Sequence, residues 1–115
     1  MLGASIVTNQ SLGRRKTVVV EVLYIPEIEK KLMPNTWSYR RLHEAADLLS
    51  PTFYDHNVAI ELISELELAE RHYSKDQALV GEIRSLKGLI LKYLSVSADC
   101  TLMFNPFADF KSGNI

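Results

Sequence analysis

The residues that invite a chemical reading are three histidines, one cysteine and a knot of basic side chains near the N-terminus. His43 and Asp47 stand four apart, which places two side chains on one face of a helix. Asp55-His56 opens a later helical stretch and His72 closes it. Imidazoles with nearby carboxylates are donors for a divalent metal, so His43, Asp47, His56 and His72 define one reading, a small metal-dependent enzyme. The spacing argues against it. No HExxH is present, and His43 with Asp47 is more simply an i,i+4 surface pair. The sequence therefore assigns no metal site, no cofactor and no catalytic residue. Cys100 invites a nucleophile reading with a histidine as base. Nothing local supports that, and a free cysteine is usually a small buried hydrophobe. Glycine-rich phosphate loops, GxSxG elbows and paired-carboxylate motifs are absent.

Arg14, Arg15 and Lys16 follow Gly13 in a compact basic stretch that can grip phosphates. Arg40 and Arg41 extend this patch if the helix that carries them lies beside it, and Trp37 and Tyr39 can stack on bases. These five cations define a nucleic-acid-binding reading. The isoelectric point near 6.3 disfavours it, and a charged loop that keeps a hairpin end soluble is the simpler account.

Three further features point to protein surfaces. Ala78, Gly81, Ser85 and Gly88 form a line of small residues along the last helix, away from its apolar seam. Two glycines on one helix face suggest close approach of another backbone, since each costs about 1 kcal/mol relative to alanine. The stretch 55–73 carries Asp55, Glu61, Glu65, Glu67 and Glu70, with Ile60 and Leu68 projecting from its polar side, which suggests a docking face. Phe104, Phe107 and Phe110 flank an Asn-Pro turn; they either close this chain's core or plug a groove on a neighbour, and the first is favoured.

The elements that must hold these residues follow from periodicity. Residues 4–10 and 17–25 read as strands joined by a hairpin loop at 11–16. Val18, Val20, Val22 and Tyr24 share one face of the second strand, and its other face is also mostly apolar, so cover on two sides is expected. A hairpin alone is marginal in water. A third strand comes from 100–104 or from a second copy. Pro26 starts a short helix that stops before Pro34, and a further helix is expected over 36–49. Thr52 with Asp55, and Ser74 with Gln77, read as capping boxes that open two longer helices. Their seams are Ala59, Leu62, Leu66, Ala69 and Tyr73, then Leu79, Ile83, Leu86, Ile90 and Tyr93.

The chain has 115 residues, 47% hydrophobic and 23% charged, which fits one folded domain over 1–115 and excludes a disordered chain. Its parts are a hairpin and short helical turn (1–34), a helical part (35–95) and a C-terminal strand and tail (96–115). The expected class is α+β, with the N-terminal hairpin on two to three helices and the last two helices antiparallel. Residues 1–43 hold seven basic and three acidic residues, and 44–115 hold six and eleven. Such opposite-signed halves can attract a charged partner or a second copy. One cysteine allows no internal disulfide, the first residues lack a secretory pattern, and no apolar run is long enough to span a membrane, so a cytoplasmic protein is expected. The functional expectation is a non-enzymatic binding or adaptor protein, acting as a homo-oligomer or as a subunit of an assembly. Tyr24, Trp37, Ile60, Leu68, Gly81 and Gly88 are its contact candidates.

Overall fold

The computed structural model describes residues 2–8, 19–46, 50–95 and 100–106. The elements in chain order are β1 (Gly3–Thr8), β2 (Val19–Tyr24), α1 (Pro26–Lys31), α2 (Arg40–Glu44), β3 (Thr52–Tyr54), α3 (His56–His72), α4 (Gln77–Ser95) and β4 (Cys100–Asn105). The strands make one antiparallel sheet in the order β2-β1-β4-β3. The fold is α+β, with an N-terminal hairpin and the last two helices packed as a pair, as expected. The stretch expected to complete the sheet does so as β4, between β1 and β3. Ala4 faces Phe104 and Ile6 faces Leu102 across its pairing with β1.

Period-2 alternation in the strands and helical period in α3 and α4 meet in one core. Ala4, Ile6, Leu102 and Phe104 are buried with Leu62 and Leu66 of α3 and with Leu79, Ile83, Leu86 and Ile90 of α4. The intervening Val7 and Met103 are buried as well, on the opposite face of the sheet. The two middle strands therefore have both faces withdrawn from water. The strand expected to need that cover, β2, is an edge strand, and its Leu23 packs against the core while Val22 and Tyr24 are half-buried.

Three expectations are corrected. The helix over 36–49 is reduced to Arg40–Glu44. Asn35 Oδ1 accepts the amides of both Trp37 and Ser38 at 3.0 Å, so the chain turns there before any helix begins. Thr52 does not open a capping box: Thr52–Tyr54 is a strand paired with β4, and Asp55 caps α3 by accepting the Val58 amide at 3.0 Å. Nor does Ser74 cap the last helix. Asp76 Oδ1 accepts the Leu79 amide at 3.1 Å, and residues 73–75 form the turn between α3 and α4.

The short helices α1 and α2 have Ile25 and Tyr39 at their N-caps, and neither supplies a side-chain cap. Their caps come from the long helices. Glu65 of α3 accepts the Arg41 amide at 2.9 Å and the Leu42 amide at 3.0 Å. Glu82 of α4 accepts the Ile28 amide at 2.8 Å. Each carboxylate thus meets donors that a helix start leaves unsatisfied, at the positive end of the helix dipole. Burial raises the pKa of both Glu65 and Glu82, outweighing the amide bonds that pull it down.

Candidate functional site

A cleft of about 460 Å³ opens where β3 ends and α3 begins. Phe53 and Tyr54 of β3, Asp55 and His56 at the start of α3, Tyr93 near the end of α4, and Cys100 and Thr101 of β4 line it. Pairing of β3 with β4 sets Tyr54 opposite Leu102 and brings Cys100, 44 residues from His56 in sequence, to the same rim. The His56 ring lies 4.6 Å from the Tyr93 ring, tilted by 30°. Its Nε2 is buried and has no hydrogen-bond partner. Tyr93 donates its hydroxyl proton to the Tyr54 carbonyl at 3.2 Å. Burial, then the charge of Asp55 and the Cys100 thiol, raise the Tyr93 phenol above its ordinary value. Phe53 stands at the mouth with 55% of its surface exposed.

The cleft joins two residues singled out separately in the sequence, His56 and Cys100. It does not gather the histidines. His43 donates from Nδ1 to the Met33 carbonyl at 2.6 Å, and His72 sits edge-on to Tyr73. Asp47 lies outside the described residues. Among the described residues, no group of three His, Cys, Asp or Glu side chains comes together as a metal site.

Arg14, Arg15 and Lys16 also lie outside the described residues. Arg41, their expected neighbour, is tied to Glu44 and Glu61, both at 3.1 Å, and Arg40 pairs with Glu44 at 3.6 Å. The acidic side of α3 is likewise spent within the chain. Glu61 holds Arg41, Glu65 caps α2, and Glu70 holds Arg84 at 3.0 Å and Lys87 at 3.2 Å. Part of the charge split between the halves closes internally too, since Lys31 pairs with Asp76 at 2.6 Å. These pairs remove the acidic face and much of the charge asymmetry as arguments for a partner.

The proposed contact residues are spread over the surface. Trp37 is the most open, with 95% of its surface exposed. It sits on the Asn35 turn, further held by the Tyr39 amide on the Asn35 carbonyl at 3.3 Å. Ile60 is 57% exposed and Leu68 39%, both on the outer side of α3. Gly81 and Gly88 face open space, with nothing within 4 Å of where a Cβ would stand, so no described segment of this chain approaches these two glycines. Tyr24 is half-buried on β2. Of the phenylalanines near the Asn-Pro turn, Phe104 is fully buried in the core; Phe107 and Phe110 lie outside the described residues.

Fold and site together define a small α+β domain whose helices cover one face of a four-stranded antiparallel sheet. Among the described residues, no helix is long and apolar enough to cross a membrane. Compared with protein-family models, curated proteins and solved structures, the chain shows no match.

Proposed function

We propose that this protein is a non-enzymatic binding or adaptor domain that joins another protein, or a second copy of itself, through the turn that carries Trp37. The observation that carries this reading is an indole presented almost wholly to water on a turn fixed by three hydrogen bonds that Asn35 accepts. Single exposed aliphatic residues are common. A tryptophan this exposed is less so, because leaving its large apolar area in water forgoes stabilisation that burial would give. A rigid turn also lowers the ordering cost of binding. Ile60, Leu68 and the exposed Leu91 add apolar area on the outer helix faces.

The test uses Trp37→Ala. An exposed side chain contributes little to folding, so stability should change by no more than about 0.5 kcal/mol. A buried tryptophan anchor, in contrast, contributes about 2 kcal/mol or more to an interface, roughly thirtyfold in affinity. The chain has one tryptophan, so its fluorescence reports coverage directly. Light scattering across a concentration series separates self-association from binding to a different protein. The proposal fails if a complex purified from native cells keeps Trp37 open to collisional quencher, or if Trp37→Ala binds as tightly as the parent chain.

A further inference from the structure

We infer that the cleft at the start of α3 binds an organic ammonium group carried on an apolar body. This site is separate from the Trp37 turn and does not depend on that reading. The volume, about 460 Å³, is that of a small-molecule site, and its walls include the aromatic residues Phe53, Tyr54 and Tyr93. Its charged character is one-sided among the described residues, with a carboxylate and no cation. Asp55 contributes a carboxylate, Cys100 a weakly accepting sulfur and Thr101 a hydroxyl, while the unpartnered Nε2 of His56 is buried. The Tyr93 hydroxyl already donates a hydrogen bond to the Tyr54 carbonyl. Among the described residues, no lysine or arginine lines the cleft.

Asp55, the exposed N-cap of α3, has no cationic partner among the described residues. Each glutamate of α3 and α4 meets a cation or a backbone amide from another element. Asp55 accepts only the Val58 amide of its own helix, and among the described residues no cation pairs with it. Burial raises the Tyr93 phenol most, and the Asp55 charge adds to it. An anion entering here meets a carboxylate, and a neutral arene strips water from one without replacing it. An ammonium ion supplies N–H donors to the acceptors and is attracted by aromatic rings.

Cys100 is the chain's only cysteine, so its alkylation by iodoacetamide, read by intact mass, reports whether the cleft is filled. Three probes of similar shape are compared: benzylammonium, benzyl alcohol and phenylacetate. Benzylammonium should slow alkylation about fivefold at about four times its dissociation constant, because protection follows 1 + [L]/Kd. The alcohol and the acid should protect far less. N-acetyl-lysinamide forms a fourth arm. Protection by it as well identifies a partner's lysine side chain as a possible source of the group; protection by benzylammonium alone identifies a free aromatic amine. Either supports the inference.

Asp55→Asn removes the charge and keeps the helix start, since asparagine caps as well as aspartate. It should abolish the preference for the cation while the far-ultraviolet circular dichroism stays unchanged. Should Cys100 react too slowly, the same titrations are read from the ring signals of His56 by carbon-resolved NMR. Equal protection by all three shapes, protection by none, or full cation preference in Asp55→Asn would overturn the inference.

Discussion

Removing the Glu65 carboxylate should loosen a helix that Glu65 does not belong to. Glu65→Ala leaves the Arg41 and Leu42 amides, both partly buried, without their acceptor. An unsatisfied buried N–H costs about 1–3 kcal/mol, and loss of a helix cap about 1 kcal/mol. Water reaches part of this site, and the variant also sheds the cost of burying a charge, which holds the Glu65 pKa up. The net loss should therefore sit near the lower end, about 2 kcal/mol. For a domain of this length that lowers Tm by roughly 6–10 °C. Glu65→Gln keeps one carbonyl oxygen for one amide and sets an NH₂ group against the other, so it should lose about half as much. Thermal unfolding by circular dichroism gives the stability, and hydrogen exchange gives the location. The Arg41 and Leu42 amides should lose protection in the alanine variant, while those of α4 change only with global stability. A loss below about 0.5 kcal/mol with both amides still protected would refute the capping role.

Gly81→Ala and Gly88→Ala should each stabilise the isolated chain by about 1 kcal/mol, because both sites are helical and open; a lower Tm in either would contradict the geometry. Asp76 both caps α4 and pairs with Lys31, whose pKa is raised to about 12 by that pair and by Glu27. Asp76→Asn should cost less stability than Asp76→Ala, because asparagine keeps the cap and loses only a partly exposed ion pair, whereas alanine loses both. Equal losses in urea melts would show that the cap contributes nothing. The pH profile has two opposed parts. Glu65 and Glu82 have folded values raised above the ordinary 4.5, so their ionised forms oppose folding, and that opposition fades as pH falls from neutrality towards 4.5. Glu27, Glu70 and Asp76 are lowered, chiefly by their lysine and arginine partners, so their support is intact above 4.5 (3.8 for Asp76) and fades as pH falls further. The double variant Glu65→Gln, Glu82→Gln should flatten the first part and keep the second; a profile unchanged above 4.5 would contradict this.

Much of the core is legible in the sequence. Of the expected seams, Ala59, Leu62, Leu66 and Ala69 and all of Leu79, Ile83, Leu86, Ile90 and Tyr93 are buried and Tyr73 is half-buried, because helical period reports which side faces the sheet whatever the sheet's topology. Helix ends are harder, because their satisfaction is not local. Glu65 caps a helix 24 residues before it and Glu82 one 54 residues before it, so the short helices carry no sign of their own caps. The same distance effect misleads at the surface. Glu61, Glu65 and Glu70 look like a docking face in one dimension and are internal partners in three. Strand β3 escapes notice because three residues set no period, and its Thr52 sits three before an aspartate in the manner of a cap. The cleft was hidden for that reason. Only once Thr52–Tyr54 is a strand beside β4 do Asp55, His56 and Cys100 share a wall.

The place of β4 between β1 and β3 bears on how the molecule comes into being. A ribosome delivers the hairpin, all four helices and β3 before it delivers the strand that links them, so the sheet stays in two separate pieces until residues 100–105 emerge. Pairing Gly3 with Asn105 closes nearly the whole chain into a loop, a contact of long sequence separation that slows folding. During that interval the inward sides of Ala4, Ile6 and Tyr54 lack their central neighbour. Substitutions at Leu102 or Phe104 should therefore reduce the yield of folded protein during synthesis more than their effect on the finished molecule alone would suggest.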